Sequence, residues 1–357
     1  MRLPRSGSER LAGPRAECYI SSEAPAAPVC VHADGEAMGR QAQGPPFRTL
    51  TQQELNLLAL KLIQALQRSY EPGRDRVITP DNVYQPGRAE GRADLEAFME
   101  HVLAPGSAVE GVAHLERCLA DLEAGRPVLF LAEHRGNLDV PSFSVLLQRA
   151  CPRAQEILRR LVYIAGRKLN ESSDFIKMFS EKYSRLVIVP RRDYPPEPAP
   201  GTPQERQAFE EFRRYAARIN RAAFRELVQL KKAGHIFVLF PLGGRLKPDA
   251  DNRPVRETTS YLHSFHSAHL VSMEGNALPP EARMEDERPI QAKVVFRIGP
   301  ALDCKAFLAA ERERFEAARR AGALPADADY EQAVVERIMA MLEHLRRHGS
   351  YGPPVAV

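Results

Sequence analysis

The 357-residue chain contains no tryptophan, no CxxC pair and no strong charge of either sign. Its five cysteines, Cys18, Cys30, Cys118, Cys151 and Cys304, are scattered. An odd, unpaired set argues against a disulfide framework and against structural zinc, and it points to a reducing compartment. Long apolar runs are also missing. The best, Val128–Ala132 and Ile236–Phe240, have the length of buried strands and fall far short of the ~18 residues of a membrane span. The opening stretch MRLPRSGSERLAGPRAE has no apolar core, so it does not read as a secretory signal. Fifty Lys and Arg against 46 Asp and Glu leave a net charge of +4. That balance excludes a histone-like tail and implies no nucleic-acid partner. It suits a phosphorylated substrate, an acidic partner or an anionic membrane surface.

What is present is an ordinary globular mixture, 44% hydrophobic and 27% charged, enough to bury a sizeable core. Proline is over-represented, with 29 residues. Residues 1–46 are rich in Pro, Gly, Ala, Ser and Arg without apolar periodicity and read as a disordered segment. The alternative, an organellar transit peptide, would move the protein from the cytoplasm to a plastid stroma. Glu9, Glu17, Glu23, Asp34 and Glu36 count against it.

Order begins at Thr51-Gln-Gln-Glu54, a capping box, followed by a long apolar-faced helix that stops at Pro72-Gly73. With a second helix over Ala89–Leu103 it makes residues 47–104 a helical N-terminal unit. Residues 105–357 then alternate. A helix is expected over Val109–Ala124, and strands over Val128–Glu133, Leu161–Ala165, Leu186–Pro190, Ile236–Phe240, Leu270–Met273 and Ala292–Ile298. Charged helices are expected over Gln204–Ala233, Lys305–Ala321 and Ala328–Arg347. Continuous apolar strands between helices indicate an α/β domain, with a mixed, largely parallel sheet covered on both faces.

Three strand exits carry chemistry. In the first, the strand over Val128–Glu133 runs into His134-Arg-Gly-Asn-Leu-Asp139. Across a strand-to-helix turn an aspartate five residues on can fold back, fix the imidazole tautomer and leave the other nitrogen as a general base. Taken alone, the same residues can merely end a strand and cap a helix. A kinase loop is excluded, because the aspartate is misplaced and neither a Gly-rich loop nor DFG is present.

In the second exit, Phe240-Pro-Leu-Gly243-Gly244-Arg245-Leu-Lys247 has adjacent glycines that let backbone N–H groups approach an anion, with Arg and Lys to hold it; taken alone, the same residues can equally form a hairpin-like turn with solvated cations. It is not a Walker loop, since no GK[ST] follows. The third exit ends in Pro190-Arg191-Arg192-Asp193. All three lie at carboxyl ends of strands, where open α/β sheets bind ligands.

Together these segments resemble the glycerolipid acyltransferase family defined by the HX4D box, and most closely its soluble, plastid-type glycerol-3-phosphate 1-O-acyltransferases. His134–Asp139 matches HX4D, Tyr163–Leu169 through Asp174-Phe-Ile-Lys matches the second block, and Phe240–Asp249 matches the GGR block. The likeness spans residues 95 to 300. It implies that His134 deprotonates a glycerol hydroxyl attacking an acyl thioester while Asp139 orients the histidine. It further implies that Arg191, Arg192, Gly243, Gly244, Arg245 and Lys247 hold the phosphate of glycerol 3-phosphate. The thioester of acyl carrier protein or coenzyme A would be a co-substrate, with no metal or organic cofactor. The same motifs serve lysophosphatidate acyltransferases, and a non-catalytic phosphate- or lipid-binding relative is the alternative of another class. Peripheral contact with a membrane is also implied.

The chain departs from the pattern at four places. Glu133 precedes the histidine where Asn is common, Lys247 replaces an arginine, Ser272 replaces a proline, and Asp193 stands where the soluble branch has a histidine. A carboxylate there would repel a phosphate, so Asp193 is expected to turn away or to pair with Arg191 or Arg192. His263, His266 and His269 recur every three residues, but no carboxylate or cysteine joins them, so they do not read as a metal site.

Overall fold

A computed structural model describes residues 47–171, 174–198, 201–246, 252–281 and 286–351. The readings made for residues 1–46, as for Lys247, lie outside these. The described residues form one compact unit.

Among the described residues the strands are β1 (Tyr84–Gln85), β2 (Ala108–Glu110), β3 (Val128–Ala132), β4 (Leu161–Gly166), β5 (Arg185–Ile188), β6 (Ile236–Leu239), β7 (Ser267–Glu274), β8 (Val295–Ile298) and β9 (Leu302–Asp303). The helices are α1 (Gln52–Arg68), α2 (Arg92–Val102), α3 (His114–Glu123), α4 (Asp139–Ala150), α5 (Ala154–Arg160), α6 (Lys168–Glu171), α7 (Asp174–Ser180), α8 (Pro203–Lys232), α9 (Thr258–Leu262), α10 (Cys304–Arg320) and α11 (Tyr330–His348).

The strands form one sheet in the order β1-β5-β4-β6-β3-β7-β8-β2, with β9 beside β7. Its centre, β5-β4-β6-β3-β7, is wholly parallel. The pairs β7–β8, β7–β9 and β1–β5 are antiparallel, and β2 lies parallel to β8. The fold is thus α/β with a mixed, largely parallel sheet.

The period of two along β3 explains why it is apolar throughout. Val128, Phe130 and Ala132 join one buried cluster, with Leu62, Leu66, Leu95, Leu119 and Leu146 of α1 to α4. Leu129 and Leu131 join the other, with Ile219, Leu227, Leu308, Val334 and Leu342 of α8, α10 and α11. Both faces of the strand are therefore covered, as a parallel sheet requires. The α1 capping box forms as its sequence dictates. Thr51 accepts from the Glu54 N–H, and Glu54 accepts from the Thr51 N–H at 2.8 Å.

Two expectations need correction. The segment 47–104 is not purely helical, because its residues Tyr84–Gln85 pair with Leu186 and Arg185 at the sheet edge. The helix expected over Val109–Ala124 is shorter. Its first part is the strand β2, in which Val109 lies opposite Phe296, and α3 starts only at His114. A strand of three residues has no periodicity of its own and is held by its partner.

Candidate active site

β3 and β6 are adjacent parallel strands, with Leu131 opposite Leu239, so their carboxyl ends deliver two loops side by side. From β3 the chain passes through Glu133 and His134 into a tight turn and enters α4 at Asp139. Asp139 is 3% exposed, and a single carboxylate oxygen, Oδ2, gathers the turn. It accepts from the backbone N–H of Arg135 at 2.5 Å and of Gly136 at 2.8 Å, and it lies 2.9 Å from His134 Nδ1. An oxygen already accepting two N–H groups is an acceptor toward the imidazole as well. In the neutral imidazole Nδ1 therefore carries the proton, and Nε2 keeps its lone pair.

The other side of the imidazole lies on Phe240, with ring centroids 4.4 Å apart and planes 23° off parallel. Phe240 in turn stacks against Tyr163 at 6.2 Å. A ring clamped between a carboxylate and an aromatic face has little freedom to turn.

Gly136 lets the turn pass close to its neighbours. A Cβ there would lie 2.4 Å from Asn276 Oδ1 and 2.7 Å from the Leu278 carbonyl oxygen. Asn276 fixes the same turn by donating to the Arg135 carbonyl at 2.9 Å.

The second loop is tied to the first. The Leu246 N–H donates to the His134 carbonyl at 2.8 Å. Arg245 pairs with Glu287 at 2.5 Å, and the other oxygen of Glu287 accepts from Asn137 Nδ2 at 3.2 Å. One buried carboxylate thus bridges the His134 turn and the glycine loop. Gly243 has φ +67°, and a Cβ on it would meet Arg192 Nη1 at 2.7 Å and Val255 at 2.8 Å. Arg192 donates to the carbonyls of Leu242, at 3.3 Å, and Gly243. Its guanidinium thereby reaches the glycine loop from the third strand exit.

Of the six residues read as phosphate ligands, the structure brings Arg192, Gly243, Gly244 and Arg245 to the loops around His134. Arg191 is exposed in the short 3-10 turn Arg191–Asp193, and Lys247 lies outside the described residues. Of the two expectations for Asp193, the first holds: it turns away from the arginines. It pairs with neither arginine but with Lys168 at 2.9 Å, the first residue of α6. The pairing draws its charge away from Arg191 and Arg192, so the two cations are left uncompensated by it.

Glu133 has a structural part. Its Oε2 accepts from the Met273 N–H at 2.8 Å, extending the β3–β7 ladder, with Arg346 at 3.5 Å and Arg135 at 3.7 Å from its other oxygen. Burial raises its pKa above the ordinary glutamate value. The thiols of Cys118 and Cys304 are pushed up to about 12 by burial, which removes them as nucleophiles. Among the described residues no group of three His, Cys, Asp or Glu is placed to hold a metal ion, and no helix is long and apolar enough to cross a membrane.

Sequence reasoning missed Phe240 as a partner of the imidazole, and it missed Glu287, Asn137 and Asn276. Phe240 carries a signal, being the last apolar residue before the glycine turn. Glu287 carries none, since it stands in a charged stretch far along the chain.

No family model matches this chain, and no curated protein matches it. Among solved structures, the 1-acyl-sn-glycerophosphate (LPA) acyltransferase PlsC from Thermotoga maritima aligns with 83% of this chain and 94% of its own. The identity is 15% and the TM-score 0.40. A likeness at that level carries no functional argument.

Proposed function

We propose that the protein is an acyltransferase that moves a fatty acyl group from a thioester to the sn-1 hydroxyl of glycerol 3-phosphate. The observation that carries this reading is the Asp139–His134 pair, whose geometry leaves Nε2 as the base beside a glycine loop that the Arg192 guanidinium reaches. In this reading Nε2 takes the proton of the hydroxyl as its oxygen attacks the thioester carbonyl. The tetrahedral intermediate collapses, the C–S bond breaks, and the thiolate leaves. The imidazolium returns the proton to the sulfur, so acid and base are one residue. Asp139 stabilises the imidazolium through Nδ1.

Arg192 and Arg245, with Arg191 and Lys247, hold the acceptor phosphate, and the N–H groups of Gly243 and Gly244 add donors. Fixing the phosphate places the hydroxyl at the base. Such positioning can supply up to about 7–11 kcal/mol of the barrier. The activation resides in the thioester, from acyl carrier protein or coenzyme A, and the reaction requires no further cofactor.

The test is an assay of purified protein with radiolabelled acyl-acyl-carrier-protein and acyl-coenzyme A against glycerol 3-phosphate and, separately, its 1-acyl derivative. Formation of the 1-acyl product from glycerol 3-phosphate is expected. Turnover of the 1-acyl acceptor alone would reassign the protein as a lysophosphatidate acyltransferase. No transfer from either donor to either acceptor would remove the enzyme reading.

A further inference from the structure

A carboxylate beside a phosphate site needs a reason, because it repels the anion that the site is to hold. The chain disposes of one such group and keeps another. Asp193 is drawn off to Lys168 at 2.9 Å, whereas Glu287 is retained against Arg245, with its side chain 2% exposed.

The two oxygens of Glu287 are divided between the two loops. Oε1 accepts from Arg245 Nη1 at 2.5 Å, and Oε2 accepts from Asn137 Nδ2 at 3.2 Å. In the chain Arg245 is 42 residues away and Asn137 is 150 away. The stretch that carries Glu287 is itself anchored. The Ile290 N–H donates to the Ala277 carbonyl at 2.9 Å, and Gln52 of α1 donates to the Pro289 carbonyl at 3.1 Å. Ala277 directly follows Asn276, which holds the Arg135 carbonyl. Glu287 and the His134 turn are therefore fastened to the same stretch of backbone.

Both partners of Glu287 are donors. A carboxylate serves both, whereas an amide has one acceptor oxygen and would turn its NH2 group on the other donor. A neutral side chain of the same shape would spare the phosphate its repulsion but would break one of the two links.

We propose that Glu287 is a positioning residue, one that weakens the hold of Arg245 on the acceptor phosphate while fixing the span from Arg245 to the base at His134. This rests on the acyl-transfer reading of that site. In the acceptor the phosphate and the attacking hydroxyl are a set number of bonds apart. The span between arginine and imidazole therefore decides whether the hydroxyl meets Nε2. Removing the charge of Glu287 while keeping its shape acts in opposite directions on binding and on turnover.

Glu287→Gln in the full chain tests this, by isothermal titration with inorganic phosphate at low ionic strength and by steady-state kinetics with glycerol 3-phosphate. Phosphate should bind roughly threefold tighter or more, because a like charge has gone. At the same time kcat should fall roughly tenfold or more, since an error of about 1 Å in placement can cost on the order of 10²-fold. A strut with no part in positioning gives a different result: a loosened Arg245 binds phosphate more weakly, or the thermal midpoint alone changes. Asn137→Ala cuts only the link to the His134 turn. It should lower kcat with phosphate affinity unchanged, and it decides the matter if Glu287→Gln does not fold. Unchanged or weaker phosphate binding in Glu287→Gln, no phosphate binding by the wild type, or wild-type kcat in either variant would each overturn the proposal. A wild type without acyl transfer, whose Glu287→Gln variant binds phosphate more tightly, would instead remove the acyltransferase reading and uphold Glu287 as the counter-ion of an anion site.

Discussion

The backbone N–H of Leu246 donates to the carbonyl oxygen of His134 at 2.8 Å, so the histidine turn and the glycine loop are one hydrogen-bonded unit. Glu287 ties them again through Arg245 and Asn137. The proposed base and the proposed phosphate site are thereby held in a fixed relation by backbone and by a buried carboxylate. That arrangement makes separable predictions.

Replacing His134 by Ala should lower kcat on the order of 10²–10⁴-fold, the usual worth of a general base, with little change in acceptor KM. Asp139→Asn should cost a similar factor, because an amide at that position need not hold the proton on Nδ1. Steady-state kinetics on both variants check this. Wild-type kcat in His134→Ala would sink the assignment.

Arg192→Gln and Arg245→Gln should instead raise the KM for the phosphorylated acceptor at least tenfold. A charge-assisted hydrogen bond is worth about 1.5–3 kcal/mol. The split between KM and kcat is the readout, and an effect confined to kcat would assign these arginines elsewhere.

Gly243→Ala should impair both stability and acceptor binding. Its backbone sits at φ +67°, and the new methyl would meet Arg192 and Val255 closer than 3 Å. Thermal unfolding together with acceptor titration measures this. The neighbouring Gly244→Ala should be milder, since its nearest contact is at 3.6 Å.

His269, buried on β7, should titrate below 6.5. Burial is the main cause of its lowered pKa, opposed by the hydrogen bond of Nδ1 to the Gly299 carbonyl at 3.0 Å. In the unfolded chain it takes up a proton near 6.5, while in the folded chain it does so only at lower pH. The unfolded state therefore binds more protons in that window, and stability falls as pH drops below 6.5. A pH series of thermal midpoints, with the His269 ring resonance followed by NMR, checks both. A ring midpoint at or above 6.5 would contradict the assignment.

The legibility of these features differs by physical cause. β3 and its exit to His134 are readable because a strand buried on both faces is apolar without interruption, and the first polar residue marks where it leaves the core. α1 is readable because its capping box uses residues three apart in the chain. The short strands β1 and β2 are not, since each is held by a distant partner and has too few residues for a period. Asp193 illustrates the same limit. Its neighbours in sequence were the arginines, and its partner in space is Lys168.

Local order therefore belongs to the sequence by itself: strand and helix periods, caps, the histidine and aspartate five residues apart, and adjacent glycines after a strand. These depend on atoms a few bonds apart along the chain. Only tertiary structure could decide which strand exits lie side by side, that Phe240 clamps the imidazole, that Glu287 joins the two loops, and that His269 is buried. Each of those contacts depends on sheet order and helix packing, in which burial of the whole chain outweighs the preference of any short segment.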